Sequence, residues 1–278
     1  MNILNILIEQ PIINILVAFY QGLLFLHIPY SLGFAIIFLT IFIRLAMYPL
    51  TASQLKMQKK MQDLAPHLSK VKEKHKGDMK RQQEATMALY KEHGLNPAAG
   101  CLPGIVQIVI LLFGLYPALT KIIALNPTQT VKVINSLVYF PFLKLNFAWD
   151  TQFFGIALAK TPADLIKTIG PLVLLVPILT GLFQFIQSKM MMASNLGEKK
   201  DLSTSSEQVK NDKKEDFAAT FQKQSLYILP IMIGFFSWQF SIGLSLYWNT
   251  FTVFGIIQQY LVSGWGGLSG MFIKTNNK

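Results

Sequence analysis

Apolar residues run along this chain in long blocks separated by short polar connections. A helix needs roughly 20 apolar residues, at about 1.5 Å each, to cross a bilayer. Five blocks approach that length, at about 30–50, 102–123, 169–188, 225–240 and 242–262. The fourth is short. A further apolar run over 11–29 is interrupted by Asn14, Tyr20, Gln21 and His27, and residues 3–28 read as a helix lying in the membrane interface. A sixth span and a cleaved signal stay open as alternatives, although a signal would carry a positively charged start. Between 51 and 99 the pattern changes. Met57, Met61, Leu64, Leu68 and Val71 recur at spacings of 4, 3, 4 and 3, a heptad-like stripe. Lys76-Gly77-Asp78 reads as a turn, and a second arm carries Met79, Met87, Leu89 and Tyr90 as far as Gly94. Asn96-Pro97 then caps and starts the next helix. The pattern predicts an antiparallel helical hairpin whose first arm is kinked at Pro66.

The expected fold is all-α: a polytopic membrane protein with five core transmembrane helices, an N-terminal interfacial helix and a cytoplasmic helical hairpin. In order, the segments are an outer-side helix (1–29), a first span (30–50), the hairpin (51–99), a second span (100–123), an outer loop (124–168) and a third span (169–188). A flexible loop (189–223), a fourth span (224–240), a fifth (241–263) and a short tail (264–278) complete the chain.

Composition sharpens this picture. Hydrophobic residues make up 52% and charged residues 14%, where a soluble domain carries about 25% charge. Of 25 Lys and Arg, ten lie between Lys56 and Lys91, and residues 1–43 hold none. A net charge of +11 distributed this way excludes a soluble nucleic-acid-binding domain, and no sequence-specific nucleic-acid contact is expected. The single cysteine, Cys101, excludes an internal disulfide framework and a cysteine metal cage. His67, His75 and His93 are spaced as surface residues rather than ligands. Phosphate-loop, HExxH and Gly-x-Ser-x-Gly motifs are absent. The expectation is therefore no metal, no cofactor, no catalytic residue and no enzyme.

Basic residues also orient the chain. Residues 51–99, 189–223 and the C-terminus hold nineteen Lys and Arg, against five in the remaining connections (Lys121, Lys132, Lys144, Lys160 and Lys167). This places the nineteen in the cytoplasm and the N-terminus outside. Without an Arg- and Ser-rich presequence, a bacterial cell membrane is favoured over an organellar one. The 124–168 loop, with Tyr139, Phe140, Phe142, Phe147, Trp149, Phe153 and Phe154, is expected along the outer leaflet. The 189–223 loop mixes seven basic and six acidic residues around Ser203-Thr204-Ser205-Ser206 and reads as a solvated linker. On the hairpin, Lys56, Lys59, Lys60, Lys70, Lys72, Lys74, Lys76, Lys80 and Arg81 form a basic face. It suits anionic lipid, at about 1 kcal/mol per residue near the surface, or a docking arm for a ribosome or an acidic nascent segment.

Arg44 follows fourteen uncharged residues, Tyr30 to Ile43, and lies about 9 Å inside the cytoplasmic end of its helix. A guanidinium deep in a bilayer costs roughly 2.5–3.5 kcal/mol on insertion scales. Snorkelling to the interface relieves that cost. No spanning segment supplies an acidic partner; outside the cytoplasmic loops the acids are Glu9, Asp150 and Asp164. Gln107, Thr180, Gln184, Gln187, Asn249, Thr250 and Thr252 fall at matching depths. Each alone suits an interhelical hydrogen bond; together with Arg44 they suit a wet cavity open to the cytoplasm.

Arg44 followed by Tyr48-Pro49-Leu50 and a basic hairpin resembles the YidC/Oxa/Alb membrane protein insertases. So do Leu89-Tyr90-Lys91-Glu92-His93-Gly94-Leu95-Asn96-Pro97 with Gly100-Cys101-Leu102-Pro103 and Gln107, then Phe154-Gly155-Ile156 through Thr161-Pro162. Gly243-Leu244-Ser245-Leu246-Tyr247-Trp248 followed by Gln258-Gln259 completes the match, which runs over 30–263 in the family's order. The resemblance implies a hydrophilic groove open to cytoplasm and lipid and closed on the outer side. It implies Arg44 as the groove's charge, with Gln107, Gln184, Gln187, Trp248 and Asn249 lining it. Leu179, Phe183, Leu246 and Phe251 would belong to an apolar slide, and Lys56, Lys59, Lys60, Lys72, Lys80 and Arg81 to a capture arm. The implied partners are nascent membrane proteins and anionic lipids, with the ribosome and the Sec translocon as further candidates. The chain departs from relatives in having Ser241-Ile242 before Gly243, no large outer domain ahead of the first core helix, no N-terminal cysteine for lipidation, and a short, weakly basic tail. The rival reading is an anion or small-solute transporter using Arg44 as its site, although no internal repeat supports it.

Overall fold

The computed structural model describes residues 3, 5–75, 77–95, 97–124, 127–191 and 217–269. Lys76 and Asn96 of the hairpin and its cap, residues 192–216 of the expected flexible loop, and tail residues 270–278 lie outside these, as do the side chains of Lys72 and Cys101. The described chain is mostly helical, with one two-stranded hairpin.

A π-turn over Asn5–Glu9 leads into α1 (Gln10–Phe25), and α2 spans Ser31–Ala46. Helix α2 stops at Met47 because Pro49 has no N–H to continue its ladder, and α3 (Tyr48–Asp63) follows. Helices α4 (Ala65–Lys74) and α5 (Met79–Glu92) come next. The Asp78 side chain caps α5 by accepting from the Arg81 N–H at 3.0 Å. Helix α6 (Pro97–Ile110), a π-turn (Leu111–Leu115), α7 (Tyr116–Ala124) and α8 (Pro127–Leu137) precede the strands β1 (Gln152–Phe153) and β2 (Ile156–Ala157). The strands pair antiparallel, Gln152 with Ala157, around Phe154 and Gly155, both at positive φ. Helix α9 (Pro162–Ile169) starts in a Thr161–Asp164 capping box, in which the hydrogen bonds from Thr161 hold the Asp164 carboxyl below the usual range. Helices α10 (Leu175–Met190), α11 (Phe217–Ser237) and α12 (Ile242–Ser263) complete the order.

Five core spans were expected. Among the described residues, three helical stretches are long and apolar enough to cross a membrane, namely Asn5–Phe25, Gly104–Lys121 and Pro171–Met190, with a fourth if α2 and α3 count as one span. The apolar part of α11, Leu226–Ser237, is shorter than a span. Helix α12 has the length, 22 residues, but Asn249, Thr250, Thr252, Gln258 and Gln259 dilute its apolar run and it is not among the candidates. The N-terminal helix, expected to lie in the interface, thus passes the length and composition test for a span.

The chain divides into two compact units. The first comprises Met1–Tyr48, Gly104–Phe183 and Met232–Phe254. Its buried core joins Ile13, Leu16 and Val17 of α1 and Leu32, Ile36 and Leu39 of α2 with Leu115, Leu119, Ile134, Leu158 and Ile242. The polar residues that interrupt α1 dock it there. Gln10 and Asn14 donate to Leu137 O at 2.9 and 3.0 Å, Asn14 accepts from the Tyr139 N–H at 2.7 Å, and Gln21 donates to Lys144 O. Just before α1, Glu9 is 3% exposed and pairs with Lys121 Nζ at 2.7 Å. Three hydroxyls join α10, α11 and α12, with Thr180 to Ser237 at 3.2 Å and Ser237 to Ser245 at 3.1 Å.

The second unit comprises Pro49–Pro103, Gln184–Ile231 and Gly255–Lys278. In α3, Gln58 and Gln62 lie one turn apart and both donate to Met191 O, capping the end of α10. Leu64, in the break between α3 and α4, is buried, and Met57, Met61, Leu68 and Val71 are half-buried. Arms α4 and α5 run back along each other, bringing the His67 and His93 rings to 6.4 Å. Met79 and Met87 of the second arm are exposed. Burial raises the Tyr90 phenol above its ordinary value.

Candidate functional site

Helix α2 carries Gly33, Ile36, Thr40 and Arg44 at spacings of 3, 4 and 4, one face of a helix. Arg44, in its last turn, is only 5% exposed. Its Nη2 donates to the backbone carbonyl of Phe251 at 2.7 Å, and its guanidinium carbon stands 3.4 Å from the centroid of the Phe251 ring. A desolvated cation over an aromatic face gains about 2 kcal/mol. The Phe251 ring is held in turn by Tyr247 one turn earlier on α12, at 5.6 Å between centroids. Phe251, expected on the apolar slide, is also a partner of the charge. A ring is both an apolar surface and a weak counter-charge, and hydropathy registers only the first.

The remaining expected groove residues divide between the two units. Trp248 and Asn249 of α12 and Gln107 of α6 belong to the same unit as Arg44 and are half-buried. Asn249 Oδ1 is buried without a hydrogen-bond partner among the described residues. Gln184 and Gln187, also half-buried, fall in the second unit. The hydroxyls expected to face a cavity are committed elsewhere: Thr250 and Thr252 donate to Leu246 O and Trp248 O on their own helix, and Thr180 donates to Val176 O. Of the expected slide, Leu179 is exposed, Phe183 is half-buried, and Leu246 packs partly buried against the core. On the hairpin, Lys56, Lys59, Lys60, Lys80 and Arg81 are exposed, with Arg81 also pairing Asp78 at 3.2 Å. Among the described residues no group of three or more His, Cys, Asp and Glu is placed to hold a metal. Two features escaped the sequence reading: the pairing of buried Glu9 with exposed Lys121 and the hydroxyl chain through Ser237 and Ser245. Glu9, the sole acid in an apolar N-terminal stretch, was the available signal for the first.

Comparison with known proteins decides the family. The family model described as 60Kd inner membrane protein matches residues 23–266. The chain belongs to the YidC/Oxa/Alb family. Within that family it is similar to the membrane protein insertase MisCA of Bacillus subtilis, 33% identical over 236 residues, 84% of this chain and 70% of that protein. It is similar to the membrane protein insertase YidC of Fusobacterium nucleatum, 30% identical over 84% of this chain and 86% of that protein. ALBINO3-like protein 1 of Arabidopsis chloroplasts is 30% identical over 95% of this chain, which spans about half of that relative, 49%. Arg44 was expected about 9 Å inside the end of its helix; α2 instead ends at Ala46, so the arginine is buried in the last turn, and its chemistry needs an account.

Proposed function

We propose that this chain is a membrane protein insertase, which moves short polar tails of nascent membrane proteins across the bilayer and releases their apolar helices into lipid. The observation that carries the reading is Arg44, a buried guanidinium seated on Phe251 of α12 within apolar helices. Moving a polar tail across roughly 30 Å of hydrocarbon is prohibitive, because every unpaired polar group costs several kcal/mol. A hydrophilic groove entered from the cytoplasm and open sideways to lipid shortens the dry path. There an acidic residue of the tail competes with the Phe251 ring for Arg44, since a carboxylate pairs with guanidinium more strongly than a ring face does. The short apolar stretch of α11 thins the bilayer locally and shortens the path again.

The membrane potential, about 2.3 kcal/mol per charge per 100 mV, then draws the acid outward. Partition of the substrate's apolar helix into lipid supplies the driving force, and no nucleotide or cofactor takes part. Gln107, Trp248 and Asn249 line the groove beside Arg44, and Leu179, Phe183 and Leu246 lie along the lipid exit. The exposed lysines of the hairpin hold the nascent chain or anionic lipid first, beside the ribosome or the Sec translocon. The membrane is the bacterial cell membrane, with the hairpin in the cytoplasm. Purified chain in proteoliposomes is the test, with a single-span substrate bearing an acidic N-tail and protease protection as the readout. Arg44→Ala lowers insertion at least fivefold and Arg44→Lys retains most of it. Equal insertion by Arg44→Ala and the parent defeats the reading, and flux of a labelled anion through substrate-free vesicles favours a transporter instead.

A further inference from the structure

The β1–β2 hairpin is attached to both helices that meet at Arg44, but at their opposite ends. On α2, Phe153 lies where a Cβ on Gly33 would stand, so the ring packs directly on bare helix backbone. Tyr30 and Phe34 enclose it, with ring centroids 6.2 and 5.4 Å from Phe153, and Phe154 packs tilted on Tyr30 at 4.8 Å. On α12, the first two amides have no partner inside their own helix. They donate to the chain leaving the hairpin, Ile242 N–H to Lys160 O at 2.8 Å and Gly243 N–H to Leu158 O at 2.9 Å. A side chain at Gly243 would strike Ile123 of α7 at 2.8 Å, so a third helix closes on the same point.

The geometry repeats along α2. Gly33, Thr40 and Arg44 fall within an arc of about 40° around the helix, and Gly33 lies about 16 Å above Arg44 along its axis. Phe153 thus covers the top of the stripe whose foot carries the charge. Between them Thr40 is fully buried, its hydroxyl donating to Ile36 O at 2.6 Å.

We propose that the segment Gln152–Lys160 is the outer plug of the groove, and that the seating of Phe153 on Gly33 is the contact that seals it. The hairpin fixes the separation of α2 and α12 at one end, and the Arg44–Phe251 contact fixes it at the other. A polar tail drawn up from Arg44 meets the aromatic cluster and can pass only sideways or by lifting the hairpin. Phe153, Gly33 and the Leu158 and Lys160 carbonyls act here as positioning groups. The proposal rests on the groove reading above, but its test needs no substrate.

The test uses the full chain with Cys101→Ser and Thr40→Cys in proteoliposomes, treated with a membrane-impermeant maleimide on one face at a time. The hairpin face is identified by the reactivity of Gln152→Cys, an exposed position. With Phe153 present, Thr40→Cys reacts slowly from that face. Phe153→Ala accelerates labelling from the hairpin face at least tenfold and leaves the rate from the opposite face unchanged. Gly33→Ala, which displaces the same ring without straining a helical backbone, serves as the second variant and gives the same one-sided gain. Rates unchanged in both variants overturn the proposal, and so does an equal gain from both faces, which marks general loosening. A one-sided leak together with wild-type insertion by Arg44→Ala keeps the plug and removes the insertase reading; the converse pair removes the plug alone.

Discussion

Replacing Phe251 with Leu separates what Arg44 contributes to stability from what it contributes to function. The substitution removes the ring beneath the guanidinium carbon, now 3.4 Å away, but keeps the backbone carbonyl that Nη2 reaches at 2.7 Å. The lost cation–π contact is worth about 2 kcal/mol at a desolvated site, and trading a half-buried ring for Leu adds about 1 kcal/mol of packing. The packing loss also occurs when Arg44 is already Met, so a cycle of Phe251→Leu, Arg44→Met and the double variant isolates the ring–cation coupling. The expected coupling is about 1–2 kcal/mol, roughly five- to thirtyfold in the unfolding equilibrium. Denaturant unfolding of the purified chain in mixed micelles measures it.

Stability and function then move in opposite directions. Arg44→Met exchanges a buried charge for an apolar side chain of similar length, which is often neutral or stabilising, while insertion of an acidic tail falls. Phe251→Leu costs about 3 kcal/mol in total, yet leaves the guanidinium freer to meet a substrate carboxylate, so insertion holds at or above the parent level. A coupling below about 0.3 kcal/mol, inside the scatter of independent sites, refutes the assignment of Phe251 as the counter-group of Arg44.

Three further outcomes follow from the same unit. Lys121→Met strips the cation from buried Glu9 and lowers stability by about 3 kcal/mol, whereas Glu9→Gln keeps an acceptor and costs about 1 kcal/mol; thermal unfolding of the two variants side by side checks the asymmetry, and equal losses contradict it. Asn14→Leu makes α1 more apolar but removes two bonds to the 137–139 segment, so the chain loses about 2 kcal/mol; a gain in stability would show that the helix is held by hydropathy instead. The Asp164 carboxyl is held low by Thr161, so its stabilising contribution is complete at and above the ordinary carboxylate range and fades as pH falls through its lowered pKa. Amide exchange of α9 in Thr161→Ala is expected to lose that acid dependence, and an unchanged low-pH profile argues against the cap.

Periodicity within one helix is legible in a sequence because both members of each pair lie within a few residues. The α2 stripe and the hairpin heptads are of this kind, and so are the apolar blocks. The partners of Arg44 are 207 residues away and the partner of Gly33 is 120 residues away, and no spacing rule reaches that far. The same limit explains the hydroxyls. Thr180, Thr250 and Thr252 sit at the depths expected of groove residues, but hydropathy cannot distinguish a hydroxyl facing water from one turned back onto its own helix carbonyl. For α1, the polar interruptions that argued against a span are the residues that bind it to 137–144, while its total apolarity still passes for one. Apolar length measures what a helix tolerates around it, whereas the spacing of its few polar groups records what it is tied to. A glycine under a ring carries the same kind of information: Gly33 is silent in hydropathy, yet the absence of its side chain is what admits Phe153.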